Sequence, residues 1–297
     1  MNFSNLHRKG CILGLALAAT ILSSCEKDGN PNNLPEVNAA DYVGKIDGFS
    51  STEEIYPTNL VAYWDFENKN ERKTNTAPTS SANDAIVDGG FKGKGLSLTN
   101  GYLYYANQFP AFKTDVFKSF TISTWVQISN NGATKTMLFQ LARPGIFNGN
   151  INFVLETNLK PASDILNLSV HPTFTAVSGG TQDNINQSFG KSPKIGPNTW
   201  VHLALTYDGS SGTFNIFANG VNIGNYSGRG IGTALFNSYE PSEVIIGGNY
   251  NVIPGKAIGT DNTFAAMTGK IDEIRIYNRS IPESIIKSMY NLGLAGK

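Results

Sequence analysis

A strand pattern occupies the middle of the chain: Phe120-Thr121-Ile122-Ser123-Thr124-Trp125-Val126-Gln127-Ile128. Apolar and polar side chains alternate up to Trp125, and a period of two over this length predicts a half-buried β-strand. Similar runs occur at residues 60–66, 137–141, 151–157, 165–170, 200–207, 213–218, 221–226, 244–247 and 270–277. Between two of these runs lies Asn219-Gly220, a dipeptide that favours the type I′ turn of a β-hairpin. Many short strands with little helical periodicity predict an all-β fold, either a sandwich or a jelly roll.

One short helix is predicted near the C-terminus. Ser280 and Glu283 have the spacing of a capping box, and Pro282 suits the first helical turn, where its missing N–H costs nothing. Gly293 is positioned to end the helix. One apolar face would then pack on the β-structure, formed by Ile285, Ile286 and Met289.

Six segments resemble the signatures of laminin-G-like jelly-roll domains of the concanavalin A-like lectin/glucanase superfamily, and they occur in the family's order. They are LVAYWDF at 60–66, KGLSL at 94–98, FTISTWV at 120–126, WVHLALTYD at 200–208, FANG at 217–220 and GKIDEIRIYNR at 269–279. The resemblance covers residues 58–295 and implies a two-sheet antiparallel β-sandwich, with the domain at 58–297. One departure is the family's Asp- and Gly-rich loop after the first strand, for which this chain offers only Ser81-Ala82-Asn83-Asp84-Ala85.

The sequence does not favour an enzyme. Glucanases of the superfamily carry an E-x-D-x-x-E strand, because retaining hydrolysis needs two carboxyl groups about 5 Å apart, and this chain lacks that spacing. Asp272 and Glu273 are adjacent and would face opposite sides of a strand. His202 lies within a strand without a neighbouring Ser or Asp motif and is interpreted as structural. A glycoside hydrolase is therefore the less favoured alternative.

Composition points to an uncharged ligand. The chain has 23 basic and 23 acidic residues, and only 15% of its residues are charged. No run of Lys or Arg supplies the phosphate neutralisation that nucleic-acid binding requires, so nucleic acid is excluded as a partner. A polar, weakly charged surface suits neutral glycans, although turn-rich β-proteins share this composition whatever they bind.

Five tyrosines are candidate platforms for sugar rings, since aromatic faces and polar groups together hold neutral sugars. They are Tyr102, Tyr104, Tyr105, Tyr239 and Tyr250. Each could equally belong to the core or to a turn. The leading hypothesis is a non-catalytic glycan-binding module. The alternative is an adhesin or structural subunit that docks another surface protein, and a large exposed apolar patch would favour it.

The resemblance also implies a structural calcium ion, because related domains often bind one through the aspartate of the "IDE" strand. That residue is Asp272 here, and Asp65 in the opening strand is a second candidate ligand. A carboxylate in this strand needs a partner, since burying an unpaired charge is costly. Calcium, Arg275 or backbone amides could each supply it.

The N-terminus has the features of a lipoprotein signal peptide. Arg8 and Lys9 precede an apolar run that is too short to span a bilayer, and Leu22-Ser23-Ser24-Cys25 follows it. This segment resembles the bacterial lipobox, in which the cysteine is lipidated and becomes the first mature residue. We therefore expect a signal peptide at 1–24 and a lipid anchor on Cys25.

The segment after the anchor predicts where the protein is located. Glu26-Lys27-Asp28 resembles the acidic surface-export tags of lipoproteins from the Bacteroides group, and residues 25–57 are expected to form a flexible tether. We expect an outer-membrane lipoprotein that faces the cell exterior and contacts the membrane through lipid alone. The only other cysteine, Cys11, lies in the signal peptide, so the mature domain is predicted to contain no disulfide.

Overall fold

The structure is a computed structural model that describes residues 43–184, 191–230 and 234–297. Residues Gly44–Lys297 form a compact unit. Cys25, the expected signal peptide and most of the expected tether lie outside the described residues. Within the described residues, no helix has the length and apolar character that a membrane span requires.

The described residues contain fourteen strands, one α-helix and three short 3₁₀ helices at Thr52–Glu54, Pro110–Phe112 and Tyr250–Val252. The strands are β1 (Leu60–Trp64), β2 (Ser80–Asp88), β3 (Lys94–Tyr105), β4 (Phe120–Gln127), β5 (Lys135–Arg143), β6 (Ile146–Leu155), β7 (Val170–Thr175), β8 (Thr181–Asp183), β9 (Val201–Asp208), β10 (Thr213–Ala218), β11 (Val221–Tyr226), β12 (Glu243–Ile246), β13 (Phe264–Ala265) and β14 (Met267–Tyr277). The helix α1 spans Glu283–Leu294.

The strands follow one curled, hydrogen-bonded path in the order β11-β10-β9-β4-β14-β3-β12-β5-β6-β7-β8. We call β11, β10, β9, β4, β14 and β1 sheet I, and β2, β3, β12, β5, β6, β7 and β8 sheet II. Strand β14 joins the two, because its first half pairs with β3 and its second half pairs with β1 and β4. Except for β13, which pairs in parallel with β5, all pairings are antiparallel. The predicted all-β jelly roll with one C-terminal helix is therefore confirmed.

A single large apolar core lies between the two sheets. Inward side chains of β4, β9 and β10 meet those of β3, β5 and β6 there. Trp64 is fully buried in this core, whereas Trp125 is 5% exposed and packs outside it, against Phe91 and Tyr290. Trp64 packs edge-on against Tyr105, Phe109 and Phe139 in this core.

The predicted β10–β11 hairpin is also confirmed. Asn219 has a φ of 50° and Gly220 a φ of 75°, which are the positive angles that a type I′ turn requires. By contrast, the strand predicted at 165–170 is wrong except for Val170, where β7 begins. Asp164 Oδ1 accepts hydrogen bonds from the amides of Leu166 and Asn167, so this segment turns instead of extending.

Helix α1 differs from its prediction at both ends. Pro282 is the N-cap and no side chain caps the first turn, so the predicted Ser280 capping box does not form. The helix continues through Gly293. That residue packs against Trp125, and an added Cβ atom would lie 2.7 Å from Cζ2 of the indole. Gly296, with a φ of 70°, ends the helix in a Schellman arrangement, and Lys297 N donates to Leu292 O at 2.9 Å.

The compact unit begins earlier in the chain than residue 58. Ile55 is 1% exposed and lies in a second apolar cluster, which covers the outer face of sheet I. Ile286, Met289 and Leu292 of α1 belong to the same cluster. Residues 44–57 and α1 therefore cover the outside of this sheet together.

Candidate functional site

Three of the five candidate tyrosines lie on the outer face of sheet II. Tyr104 on β3 and Tyr250 both donate hydrogen bonds to Oε2 of Glu243 on β12, at 2.6 and 2.5 Å. Tyr102 belongs to the same apolar cluster, and all three tyrosines are at most 5% exposed. Burial and the hydrogen bond to Glu243 raise the pKa of both Tyr104 and Tyr250. The three tyrosines are therefore fixed and buried where residues 250–258 cover the outer face of sheet II.

Cations cover two of the predicted platforms. Lys256 Nζ lies 4.8 Å from the ring centre of Tyr104, and the guanidinium of Arg143 lies 4.2 Å from that of Tyr239. The Tyr239 hydroxyl donates to the carbonyl of Val177 at 2.9 Å. Tyr105 points to the other side of β3, into the main core, where it is fully buried. The role of these tyrosines in ligand binding stays a prediction, and none of the five offers a broadly exposed ring.

A row of side chains crosses the same outer face beyond the tyrosines. Ile245 pairs with Tyr104 on one side and with Gln140 on the other, and Gln140 pairs with Asn152. Gln140 Nε2 donates to Asn152 Oδ1 at 2.7 Å, and Asn152 Nδ2 donates to Thr173 Oγ1 at 2.8 Å. Gln140 and Asn152 are buried, so this ladder stabilises the sheet and leaves little of itself to a ligand.

A cluster of charged side chains lies beside this ladder, centred on His171 of β7. His171 Nδ1 is 2.6 Å from Oε1 of Glu156, and its Nε2 contacts a carboxylate oxygen of Asp183. Burial opposes the charge on His171, but the two carboxylates outweigh it and raise the pKa of the imidazole above 6.5. Lys135 Nζ also lies 3.3 Å from Glu156, so opposite charges alternate through the group.

Asp272 is fully buried in β14, and backbone amides are its partners. Its Oδ2 accepts from the Lys92 amide at 2.9 Å, and its Oδ1 accepts from the Glu273 amide at 2.8 Å. Burial raises the pKa of Asp272 to about 8. The sequence left calcium, Arg275 and backbone amides as possible partners of this carboxylate, and the structure shows the amides in that role.

Asp65, the second candidate calcium ligand, contacts Arg72 Nη1 at 3.1 Å. Among the described residues, no group of three or more His, Cys, Asp or Glu side chains is arranged to hold a metal ion. Calcium binding through Asp272 and Asp65 stays a prediction.

A β-bulge overturns the expectation that Asp272 and Glu273 face opposite sides of a strand. The register of β14 against β4 shifts between Asp272 and Arg275, and Glu273 has a φ of 53°. Both carboxylates are buried, and they lie close enough that the charge of Glu273 helps to raise the pKa of Asp272. Glu273 forms a 2.7 Å ion pair with Arg275 and accepts a 2.7 Å hydrogen bond from the Tyr63 hydroxyl.

His202 has a serine neighbour that the sequence pattern did not reveal. Its Nε2 lies 2.8 Å from Ser123 Oγ on the adjacent strand β4. The imidazole is 1% exposed, and burial lowers its pKa to about 3. In the part of the chain that the structure describes, Nδ1 has no hydrogen-bond partner. The pair therefore lacks the carboxylate that orients a catalytic histidine, which agrees with a structural role.

An open polar groove lies on the outer face of sheet I, beside the start of α1. We call it the asparagine groove, and its volume is about 370 Å³. It is lined by Asp208, Ser211, Thr213, Asn215, Phe217, Asn222, Asn225, Ser280, Ile281, Pro282 and Glu283. Phe217 and Ile281 are almost fully buried and supply its apolar part, whereas Asn225 is exposed and Asn215 and Asn222 are half-buried.

Hydrogen bonds among the asparagines fix the groove. Asn215 Oδ1 accepts from Asn225 Nδ2 at 2.6 Å and from Asn222 Nδ2 at 3.2 Å. Asn215 Nδ2 in turn donates to Thr206 Oγ1 at 3.3 Å. Each outer amide also carries a second N–H and a carbonyl oxygen, which are the groups that bind sugar hydroxyls. The sequence patterns did not single out this site, and its only signal was the polar residues in the outward positions of β10 and β11.

Comparison with known families and structures supports the fold. A laminin-G profile, described as "Concanavalin A-like lectin/glucanases superfamily", matches residues 99–287. No curated protein sequence matches the chain.

Three similar solved structures are binding domains of toxins. That of Paraclostridial Mosquitocidal Protein 1 has a TM-score of 0.54 at 21% identity, covering 79% of this chain and 52% of that chain. That of Botulinum neurotoxin DC in complex with rat synaptotagmin II has a TM-score of 0.53 at 13% identity, covering 80% and 52%. The same toxin domain with SialylT has a TM-score of 0.52 at 12% identity, covering 79% and 51%. The chain spans about half the length of these toxin domains.

Proposed function

Because the chain belongs to the concanavalin A-like lectin/glucanase superfamily, we propose that it is a non-catalytic carbohydrate-binding module displayed at the cell surface. The asparagine groove carries the proposal. It combines an open volume of about 370 Å³ with amide and hydroxyl side chains fixed on a rigid sheet. A concave site with a few oriented polar groups is the general form of a small-ligand site.

A non-catalytic role is supported by how the acidic and histidine side chains are used. Glu243 accepts two tyrosine hydroxyls, Glu273 pairs with Arg275, and His202 is buried against Ser123. Each of these groups is committed to an internal partner. Of the two carboxylates that line the asparagine groove, Asp208 is engaged by the Ser210 and Ser211 hydroxyls, whereas a glycosidase needs two carboxyl groups that both act on the scissile bond.

A glycan array probed with the full chain, purified in detergent, tests the proposal. We expect binding to at least one glycan. Replacing Asn222 and Asn225 together by Ala should weaken it tenfold or more, about 1.4 kcal/mol, since two hydrogen-bonding amides are lost. Asn107→Ala, at an exposed asparagine outside the groove, is the matched control and should bind like the wild type. An array without a bound glycan would reject the proposal.

The second candidate function is docking to another surface protein. It is favoured by three aliphatic side chains exposed on the β6–β7 loop, Leu159, Ile165 and Leu166, which are 48–55% exposed. The neurotoxin DC binding domain, about half of which this chain matches, is described in complex with rat synaptotagmin II. Retained glycan binding in a variant with all three residues changed to Ser would separate this loop from the carbohydrate function.

Anchoring through a lipid on Cys25 is part of the same proposal. Metabolic labelling of a bacterial host with a palmitate analogue should label the wild type and fail to label Cys25→Ala, because Cys11 is expected to leave with the signal peptide. Cys11→Ala is the control and should keep the label. Label that persists on Cys25→Ala would overturn the anchor, and protease treatment of intact cells would test exposure at the cell exterior.

A further inference from the structure

The charges that line the asparagine groove have one sign. Asp208 lies at the end of β9 and Glu283 begins α1. The other nine lining residues are uncharged, and all eleven belong to the described residues. A ligand in the groove therefore meets two carboxylates.

The Asp208 carboxylate is held in its ionised form. Its Oδ1 accepts from the Ser210 amide at 2.9 Å and from the Ser210 hydroxyl at 2.7 Å, and its Oδ2 accepts from the Ser211 hydroxyl at 2.9 Å. The Ser210 hydroxyl contributes most to lowering the pKa of Asp208 below its usual value. Hydrogen bonds to the charged form have this effect on any carboxylate. Asp208 therefore stays negative throughout the physiological pH range.

Three cations lie near the groove without lining it. Lys191 Nζ contacts the backbone carbonyl of Asn222 at 3.4 Å. Arg229 donates to Asn184 Oδ1 at 2.6 Å. Lys287 follows Glu283 by one turn of α1 and packs beside the β10–β11 turn. None of the three lines the groove.

We infer that the asparagine groove selects uncharged glycans and rejects glycans that carry carboxylate or sulfate groups. The inference rests on the proposed function and names its ligand class. Like charges within one site repel each other, and this repulsion weakens with added salt because the Debye length falls from about 30 Å at 0.01 M to about 3 Å at 1 M. An uncharged ligand escapes the effect, so its binding should be nearly independent of salt.

The experiment compares matched ligands on one array. Dextran, xylan, mannan and arabinan are printed beside their uronate or sulfate derivatives, and the full chain in detergent is applied at 10 mM and at 500 mM NaCl. We expect every bound polysaccharide to bind at least tenfold more tightly than its charged derivative at 10 mM NaCl. The ratio of the two affinities should be smaller at 500 mM NaCl. This comparison uses only the wild-type protein, so no variant that fails to fold can affect it.

Charge-neutral variants identify the carboxylates responsible. Asp208→Asn with Glu283→Gln should reduce the selectivity at low salt, and Glu283→Gln alone, at an exposed helix position, should reduce it in part. The control pair Asp88→Asn with Asp115→Asn changes the net charge equally at exposed positions outside the groove and should leave the selectivity intact. Equal or tighter binding of the charged derivatives by the wild type, or selectivity unchanged in the groove variant, overturns the inference while the proposed function stands. If no polysaccharide on either array binds, both are rejected.

Discussion

Gly293→Ala is predicted to destabilise the protein even though alanine favours helices. Gly293 lies in the last turn of α1, facing the ring of Trp125. An added Cβ would lie 2.7 Å from Cζ2 of that ring and 3.1 Å from Cε1 of Phe91. The indole cannot retreat, because it is stacked on Phe91 at a centroid distance of 3.5 Å and on Tyr290 at 5.7 Å.

Two opposing effects determine how much Gly293→Ala changes the free energy of unfolding. Replacing Gly by Ala within a helix lowers the free energy of the helix by about 1 kcal/mol. Inserting a methyl group into a well-packed site costs about 1–3 kcal/mol. The contact is with a ring that is stacked on two other aromatic rings, so the steric cost should exceed the helix gain, with a net loss of about 1 kcal/mol. For a unit of this size, that loss lowers Tm by about 2–4 °C.

Thermal and urea unfolding of the full chain, followed by circular dichroism and tryptophan fluorescence, measure the difference. Ser284→Ala, at an exposed position in the first turn of the same helix, is the matched control and should leave Tm unchanged or raise it slightly. If Gly293→Ala proves as stable as the wild type, α1 can shift on sheet I and the close-packing argument is wrong.

Three further predictions concern other parts of the molecule. Trp64→Ala should lower the free energy of unfolding by about 3–5 kcal/mol in urea titrations, because it empties the centre of the core; a loss below 1 kcal/mol would contradict that packing. His171 has a raised pKa, so its contribution to stability is fully present below pH 6.5 and is lost as the pH rises through the folded-state value. His171→Gln should remove that part of the pH dependence of Tm, and identical pH profiles would refute the role of Glu156 and Asp183 as its partners. If calcium binds, chelation should lower Tm in the wild type and leave Asp272→Asn unaffected; coincident melting curves with and without chelator would exclude the ion.

The alternation of apolar and polar residues predicted where the strands lie, but it could not predict which segments cover their outer faces. The alternation in β4, β9 and β10 located those strands, since one face of each meets the core. The sequence left open whether Tyr104 and Tyr250 are sugar platforms or core residues. Residues 250–258 fold over the outer face of sheet II, and both tyrosines are buried. The unbroken apolar runs at 102–105 and 244–246 agree with strands covered on both faces, but such runs do not identify the covering segment.

The asparagine groove was beyond sequence reasoning for a related reason. Asn215 and Asn225 come from neighbouring strands, but Ser280 and Glu283 arrive from the start of α1, more than fifty residues later. The Ser280–Glu283 spacing suggested a local cap, whereas tertiary packing places both residues at the groove. The bulge at Glu273 was equally hidden, because a positive φ at a glutamate follows from the pairing of β14 with its neighbours.

The position of β14 in the chain constrains how the domain can fold. This strand pairs with β1, β3 and β4, which precede it by well over a hundred residues. A growing chain thus cannot close the two sheets around the core until residue 277 is available, and contacts of such long range slow folding. The core of the domain therefore stays incomplete during most of the synthesis of the chain, however early its first strands form.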